Sequence, residues 1–183
     1  MRDIVERAMH GDREAFGVLV GRTVDRMYAI ATRILRDTDL AEDAVQAALI
    51  AAWRQLPGLR DPDKFEAWVR KLVIHACYAE SNKRRRWNAN VRELQLDDAA
   101  DDAGLLSVAD RDALDRAYRR LSLEQRAVFV LHHHVGLPLV EVAETLGIPA
   151  GTARSRLHYA TRSLQAAVNE DSATTVAVKG QTA

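Results

Sequence analysis

The sequence predicts an all-α protein built as two small helical domains joined by a flexible acidic linker, and three observations predict it. Ala, Arg and Leu are the commonest of the 183 residues while aromatics make up only 5%, a usage that favours helix over sheet by propensity. Apolar residues recur at helical spacing along most of the chain. That periodicity lapses between Asn88 and Ser107, where Asp97, Asp98, Asp101 and Asp102 stand among few large apolar residues. Such a stretch cannot bury enough surface to offset its ordering entropy. The implied layout is a first domain over 1–87, a linker over 88–109, a second domain over 110–168 and a disordered tail over 169–183. With 48% hydrophobic residues, either domain can fill a small core.

The first helix opens at Asp12, a capping residue, and carries Phe16, Leu19, Val20, Met27, Ile30, Ala31 and Ile34 toward the core. Asp39 with Glu42 resembles a capping box for the second. Its buried side is Ala41, Ala44, Val45, Ala48, Leu49, Ala52 and Trp53, while Asp43, Gln46, Ala47 and Ile50 share another face at i, i+3, i+4 and i+7. Pro57, Gly58 and Pro62 mark a turn, after which Phe65, Trp68, Val69, Leu72, Val73 and Ala76 form the core stripe of a third helix. Its other side offers Lys71, Ile74, His75, Tyr78, Asn82 and Arg85, and it ends in Lys83, Arg84, Arg85, Arg86 and Trp87. Cations interleaved with an aromatic and an amide suit single-stranded nucleic acid, where phosphates are neutralised and bases stack.

Periodicity resumes at Asp110 with Leu114, Ala117 and Leu121. Ser122 and Gln125 then form an S-x-x-Q capping box for a helix that carries Val128, Leu131 and Val135 and closes at Gly136. The stretch GLPLVEVAETLGIPAGTARSRLHYATRSL, Gly136 to Leu164, is two short helices broken at Gly147, the pattern of a helix-turn-helix. Val142, Ala143 and Leu146 pack the support helix; Ala153, Leu157, Ala160 and Leu164 turn inward from the second. Thr152, Arg154, Ser155, His158, Tyr159 and Arg162 are left on or near its outer side, with Arg156 on the flank. Arginines read guanine edges bidentately, and hydroxyls and amides at a helix start hold phosphates. No acid interrupts this helix, although the net charge of the chain is zero.

Several function classes are disfavoured. Cys77 is the lone cysteine, so no internal disulfide and no structural zinc are expected. His132, His133 and His134 are consecutive, and on a helix they diverge by about 100° per residue instead of converging on one ion. No nucleophile elbow, phosphate-binding glycine loop or metalloprotease motif occurs, so no enzyme activity, metal or cofactor is expected. No apolar run approaches membrane-spanning length, and no secretion signal opens the chain, which predicts a cytoplasmic protein without membrane insertion.

Three segments in this order resemble the extracytoplasmic-function group of bacterial RNA polymerase sigma factors: DLAEDAVQAALIAAWRQL from Asp39, FEAWVRKLVIHACYAESNKRRR from Phe65, and LSLEQRAVFVLHHHVGLPLVEVAETLGIPAGTARSRLHYATRSL from Leu121. The resemblance implies that the first docks on the clamp helices of the polymerase largest subunit through Asp43, Gln46 and Ile50. It implies that the second opens the minus-ten element and holds the melted strand through Lys71, His75, Tyr78, Asn82, Lys83, Arg84, Arg85 and Arg86. The third would read the minus-thirty-five duplex through Thr152, Arg154, Ser155, Arg156, His158, Tyr159 and Arg162. An anti-sigma factor is an implied further partner. The chain departs from the family pattern at His75, where asparagine is common, and at Ile74, which replaces a basic residue. Ala153 and Arg154 stand where valine and lysine are common, and Tyr159 where arginine is. The alternative is a polymerase-independent helix-turn-helix regulator binding operators as a dimer, which leaves the faces of the Asp39–Leu56 and Phe65–Arg86 segments without a task. A nucleic-acid-processing enzyme is a third reading and lacks a ligand set.

Overall fold

A computed structural model describes residues 1–94 and 112–180, and every regular element among the described residues is helical. The first domain comprises α1 (Arg2–Met9), α2 (Arg13–Leu35), α3 (Thr38–Gln55) and α4 (Phe65–Leu94), with two short 3-10 turns, Leu56–Gly58 and Pro62–Lys64, between the last two. The second comprises α5 (Asp112–Arg120), α6 (Leu123–Phe129), α7 (Leu139–Leu146) and α8 (Ala150–Gly180). The all-α class and the two-domain division follow as expected.

Caps set the helix starts. Asp12 accepts the Ala15 N–H at 3.0 Å and opens α2. For α3 the cap is Asp37, not Asp39: Asp37 is extended and accepts the Leu40 N–H at 3.0 Å, which leaves Asp39 inside the first turn. An acid in either place favours the positive helix start, but only the residue outside the helix satisfies an orphan amide. At α6 the box is complete, since Gln125 N–H reaches Ser122 Oγ at 3.2 Å and Ser122 N–H reaches Gln125 Oε1 at 2.8 Å. Loss of such a cap costs about 1 kcal/mol.

α2, α3 and α4 enclose the first core, in which Leu19, Ile34, Leu56 and Val73 are fully buried and Phe65 and Val69 nearly so. Truncating such a residue to alanine costs about 2–5 kcal/mol for Leu or Ile. α1, a helix not expected from the sequence, seals one end with Val5 and Ala8. Its apolar positions lie within only two turns, too short a window for periodicity to stand out. In the second domain Ala117, Leu121, Ala160, Leu164 and Ala167 form a small core of their own.

Four further details differ from the sequence-based expectation. α4 continues past Trp87 to Leu94, since propagating a helix is easier than nucleating one and nothing from Asn88 to Leu94 breaks it. The remainder of the expected acidic linker lies outside the described residues. α8 likewise runs to Gly180, past the Asn169 at which a disordered tail was expected; no proline intervenes, and glycine is a common helix terminator. The helix expected to reach Val135 is α only to Phe129 and then widens to a π turn over Val130–His134, closed by Gly136 at φ +81°. Trp53 is not a core residue: it remains 36% exposed, with its ring edge-on to Phe16 at 4.9 Å.

The domains do not stand apart. α4 packs against α7, and α2 against α6 and the π turn. Leu123, Val128, Leu131 and Val142 of the second domain thereby join the core cluster of the first.

Candidate polymerase and nucleic-acid interfaces

α3 presents Asp43, Gln46, Ala47 and Ile50 to solvent, the isoleucine 48% exposed, while Ala44, Val45 and Ala48 on the opposite side are buried. Trp53, three residues beyond Ile50 and seven beyond Gln46, falls on the border of the same face. It was missed because a large apolar residue at helical spacing reads as core. The signal was available in its spacing from Gln46 and Ile50.

On α4 the outer side carries exposed Lys71, His75 and Asn82, followed by exposed Lys83, Arg84, Arg85 and Arg86. Trp87 is 69% exposed. Asp43, Asn82, Lys83, Arg84, Arg86 and Trp87 line a groove of about 660 Å³ between α3 and α4. Arg84 lies 3.7 Å from Asp37 and Lys83 3.2 Å from Glu80. Both pairs leave the cations accessible, and exposed pairs of this kind contribute at most about 1 kcal/mol. The groove therefore has cations on its walls and an aromatic plane at its rim, both free to meet a ligand.

The flank of α4 toward the second domain is different. Ile74 is fully buried. Tyr78 is half-buried, and burial, with a smaller effect from the Glu124 carboxylate, pushes its phenol up to about 12. The sequence-predicted strand-binding set is thus divided: Lys71, His75, Asn82 and Lys83 to Arg86 are open, Tyr78 is not. The buried Cys77 thiol is also pushed up to about 12 by desolvation, so it is an inert core residue.

In the second domain Gly147 ends α7 in the left-handed conformation, φ +64°, where glycine has no Cβ penalty. The Ile148 N–H returns to Ala143 O at 3.0 Å, fixing the turn. α8 buries Ala153, Ala160 and Leu164 and leaves Arg154, Ser155, His158, Tyr159 and Arg162 exposed, with Thr152 and Arg156 half-buried. Ser155 Oγ donates to Thr152 O at 3.0 Å, and the His158 and Tyr159 rings meet edge to face at 5.9 Å. All seven sequence-predicted residues lie within the first four turns of this helix. That places cations and donors where a helix entering the major groove makes its contacts.

His132 Nδ1 lies 2.8 Å from Leu137 O, and the His133 ring meets the His132 ring edge to face at 4.8 Å and the Phe129 ring at a tilt at 4.6 Å. The three histidines stand on the π turn, not on a regular α-helix.

Two family profiles match in the order of the two domains: "Sigma-70 region 2" over residues 19–87 and "Sigma-70, region 4" over residues 111–164. The ECF RNA polymerase sigma factor SigM of Mycobacterium tuberculosis is 31% identical over 153 residues, covering 80% of this chain and 73% of its own. This chain belongs to the ECF RNA polymerase sigma factors. The RNA polymerase sigma-E factor of Streptomyces avermitilis is also 31% identical, over 82% of this chain and 83% of its own. Among solved structures, CnrH in complex with the cytosolic domain of CnrY has a TM-score of 0.64 at 24% identity, covering 93% of this chain and 97% of that one. The sigma factor RpoE of Bartonella quintana, in complex with the anti-sigma factor NepR, has a TM-score of 0.67 at 23% identity over 84% and 96% of the two chains.

The sigma factor is a transcription initiation factor, not an enzyme, and its partners are core RNA polymerase and promoter DNA. Among the described residues no helix is long and apolar enough to cross a membrane.

Proposed function

We propose that the sigma factor divides promoter recognition among the three faces described above. α3 docks on the clamp helices of the polymerase largest subunit through Asp43, Gln46 and Ile50, with Trp53 extending the contact. The α3–α4 groove and outer α4 side hold the melted minus-ten strand through Lys71, His75, Asn82 and Lys83 to Arg86, with Tyr78 contributing when uncovered. α8 reads the minus-thirty-five duplex through Thr152, Arg154, Ser155, Arg156, His158, Tyr159 and Arg162. The observation that carries this reading is the groove itself, because Asp43 of the docking helix and Asn82 and Arg84 of the strand-binding helix line one cleft. A strand held there is held against the polymerase surface, so docking and capture reinforce each other.

Anti-sigma control fits this reading, since a relative of the same fold is found bound to an anti-sigma factor. A factor that works on polymerase and promoter DNA acts in the cytoplasm.

The test is run-off transcription with purified core polymerase and a pool of promoter fragments. Initiation dependent on the sigma factor is expected, together with loss of core binding by Asp43→Ala combined with Gln46→Ala while helicity is unchanged. Normal core binding by that double variant would remove the docking assignment.

A further inference from the structure

The α3–α4 groove gathers more positive charge on one recess than a strand passing through it needs. Its lining falls on one face of α4, where Ala79, Lys83 and Arg86 and, beside them, Glu80, Arg84 and Trp87 recur at helical spacing. Arg85 points off that face and does not line it. Leu40 and Ala79 give the groove an apolar wall, and the Trp87 indole, 69% exposed, stands at its rim.

Charge is unevenly placed along the groove. Arg84 lies 3.7 Å from Asp37, the cap of α3, so the cations Lys83, Arg84 and Arg86 gather toward the end at which α3 begins. The connecting turns join the other ends of the two helices, so Asp43, further along α3, lies toward Ala79. From Ala79 to Arg86 the rise of α4 is about 10 Å. Asp37 and Glu80 are each met by one of the cations. Asp43, exposed, has no ion pair among the described residues.

These features match one nucleotide with more than one phosphate. A strand brings a single negative charge per nucleotide, whereas a nucleoside diphosphate brings about two to three, its terminal phosphate being largely ionised at neutral pH. Three cations beside one aromatic surface suit the second. A base laid against Trp87 and the apolar wall stacks as bases do on other aromatic platforms. Asp43 selects the base: guanine offers N–H donors at N1 and N2 to a carboxylate that accepts both, whereas adenine offers one donor beside an acceptor nitrogen that repels it. The Asn82 amide supplies a donor for the guanine O6. The groove volume, about 660 Å³, falls within the range of small-ligand sites, roughly 300–1,000 Å³.

We propose that the α3–α4 groove is a site for a free guanine nucleotide, a diphosphate or longer, with its phosphates on Lys83, Arg84 and Arg86, its base against Trp87 and its base edge on Asp43. While bound, the nucleotide holds the cations that would meet a strand, so that nucleotide and strand exclude each other. The site stands on the groove alone; the exclusion rests on the function proposed for α4.

The experiment uses the full chain, without polymerase. Equilibrium dialysis measures binding of GDP, ADP, guanosine and inorganic pyrophosphate to the native chain, Asp43→Asn, Arg84→Ala and Trp87→Ala, with helicity checked by circular dichroism. GDP should bind about tenfold or more tightly than guanosine or pyrophosphate, since base and phosphates act as one linked unit, and about tenfold more tightly than ADP. Trp87→Ala should weaken GDP by about tenfold and leave pyrophosphate unchanged, whereas Arg84→Ala should weaken both. Asp43→Asn should bring ADP level with GDP, because an amide meets the donor and the acceptor of adenine together. Pyrophosphate binding as tightly as GDP would reduce the site to a cluster of charge, and equal binding of GDP and ADP to the native chain would remove the reading of the base; either result overturns the proposal. Displacement of a fluorescent oligothymidylate by GDP tests the exclusion. A nucleotide that binds with the expected variant pattern yet leaves the strand in place overturns the exclusion and moves the strand out of the groove, while the nucleotide site stands. A strand that binds where GDP does not overturns the nucleotide site and leaves the function reading intact.

Discussion

The two faces proposed to bind nucleic acid are built from the same chemistry and presented differently. α8 projects Arg154, Ser155, His158, Tyr159 and Arg162 into solvent, and its inward residues are mostly alanines from a core that belongs to its own domain. α4 keeps Lys71, His75 and Asn82 open but lends its other flank to the domain contact, with Ile74 fully buried. Neither proposed face is wholly open: Thr152 and Arg156 of α8 are half-buried, as is Tyr78 of α4.

The largest effect should come from α8. Arg154→Ala is expected to lower transcription from a promoter with its preferred minus-thirty-five sequence by about 10- to 100-fold, the usual cost of one lost bidentate base contact. Promoters with other sequences at that element should lose less. A uniform loss across a promoter pool, measured by sequencing the run-off products, would mean that Arg154 grips phosphate instead of reading bases.

A smaller and less selective loss is expected on α4. Arg84→Ala and Arg85→Ala should each weaken strand binding evenly across sequences and reduce the salt slope by roughly 0.7, the single-strand value for one phosphate contact.

What was legible in the sequence follows the range of the interaction concerned. The Asp12 cap, the Ser122–Gln125 box, the Gly147 turn and the inward Ala153, Ala160 and Leu164 depend on neighbours within about one to three turns, and spacing alone reports them. Asp37 and Asp39 show the limit of that approach: two acids compete for one cap, and only backbone dihedrals decide between them. Ile74 and Tyr78 depart from the sequence-based expectation for a different reason. Spacing says that a residue faces away from its own domain's core; it does not say whether a second domain covers that direction. Arg36 carried no sequence cue at all, because its partners Asp115 and Tyr118 lie some eighty residues along the chain.

Arg36→Gly separates a local role from an interdomain one. Glycine relieves the strain of the left-handed backbone at Arg36, φ +59°, about 1 kcal/mol, and removes the contacts to Asp115 and Tyr118. The chain should expand in scattering while the thermal midpoint of the first domain holds or rises slightly. A lower midpoint with no expansion would make Arg36 an ordinary structural residue of α2 and dissolve the contrast between the two faces.

The smallest expected effect is a dependence on acid. The hydrogen bond from Arg36 holds the Asp115 carboxyl below its usual range, and the charges of Arg36 and Arg119 add to this against the opposing effect of burial. Because the carboxylate form is favoured where the domains touch, its contribution is complete above the ordinary carboxylate value of about 3.9 and vanishes as pH falls through the lowered one. From pH 7 to 5 the native chain should therefore keep its compactness, and below about pH 4 it should open with a component that Asp115→Asn lacks. Both chains will also lose other paired carboxylates in that range, so the quantity that matters is their difference in scattering. If native and Asp115→Asn chains open together, with the same midpoint, the carboxylate contributes nothing to the contact between the domains.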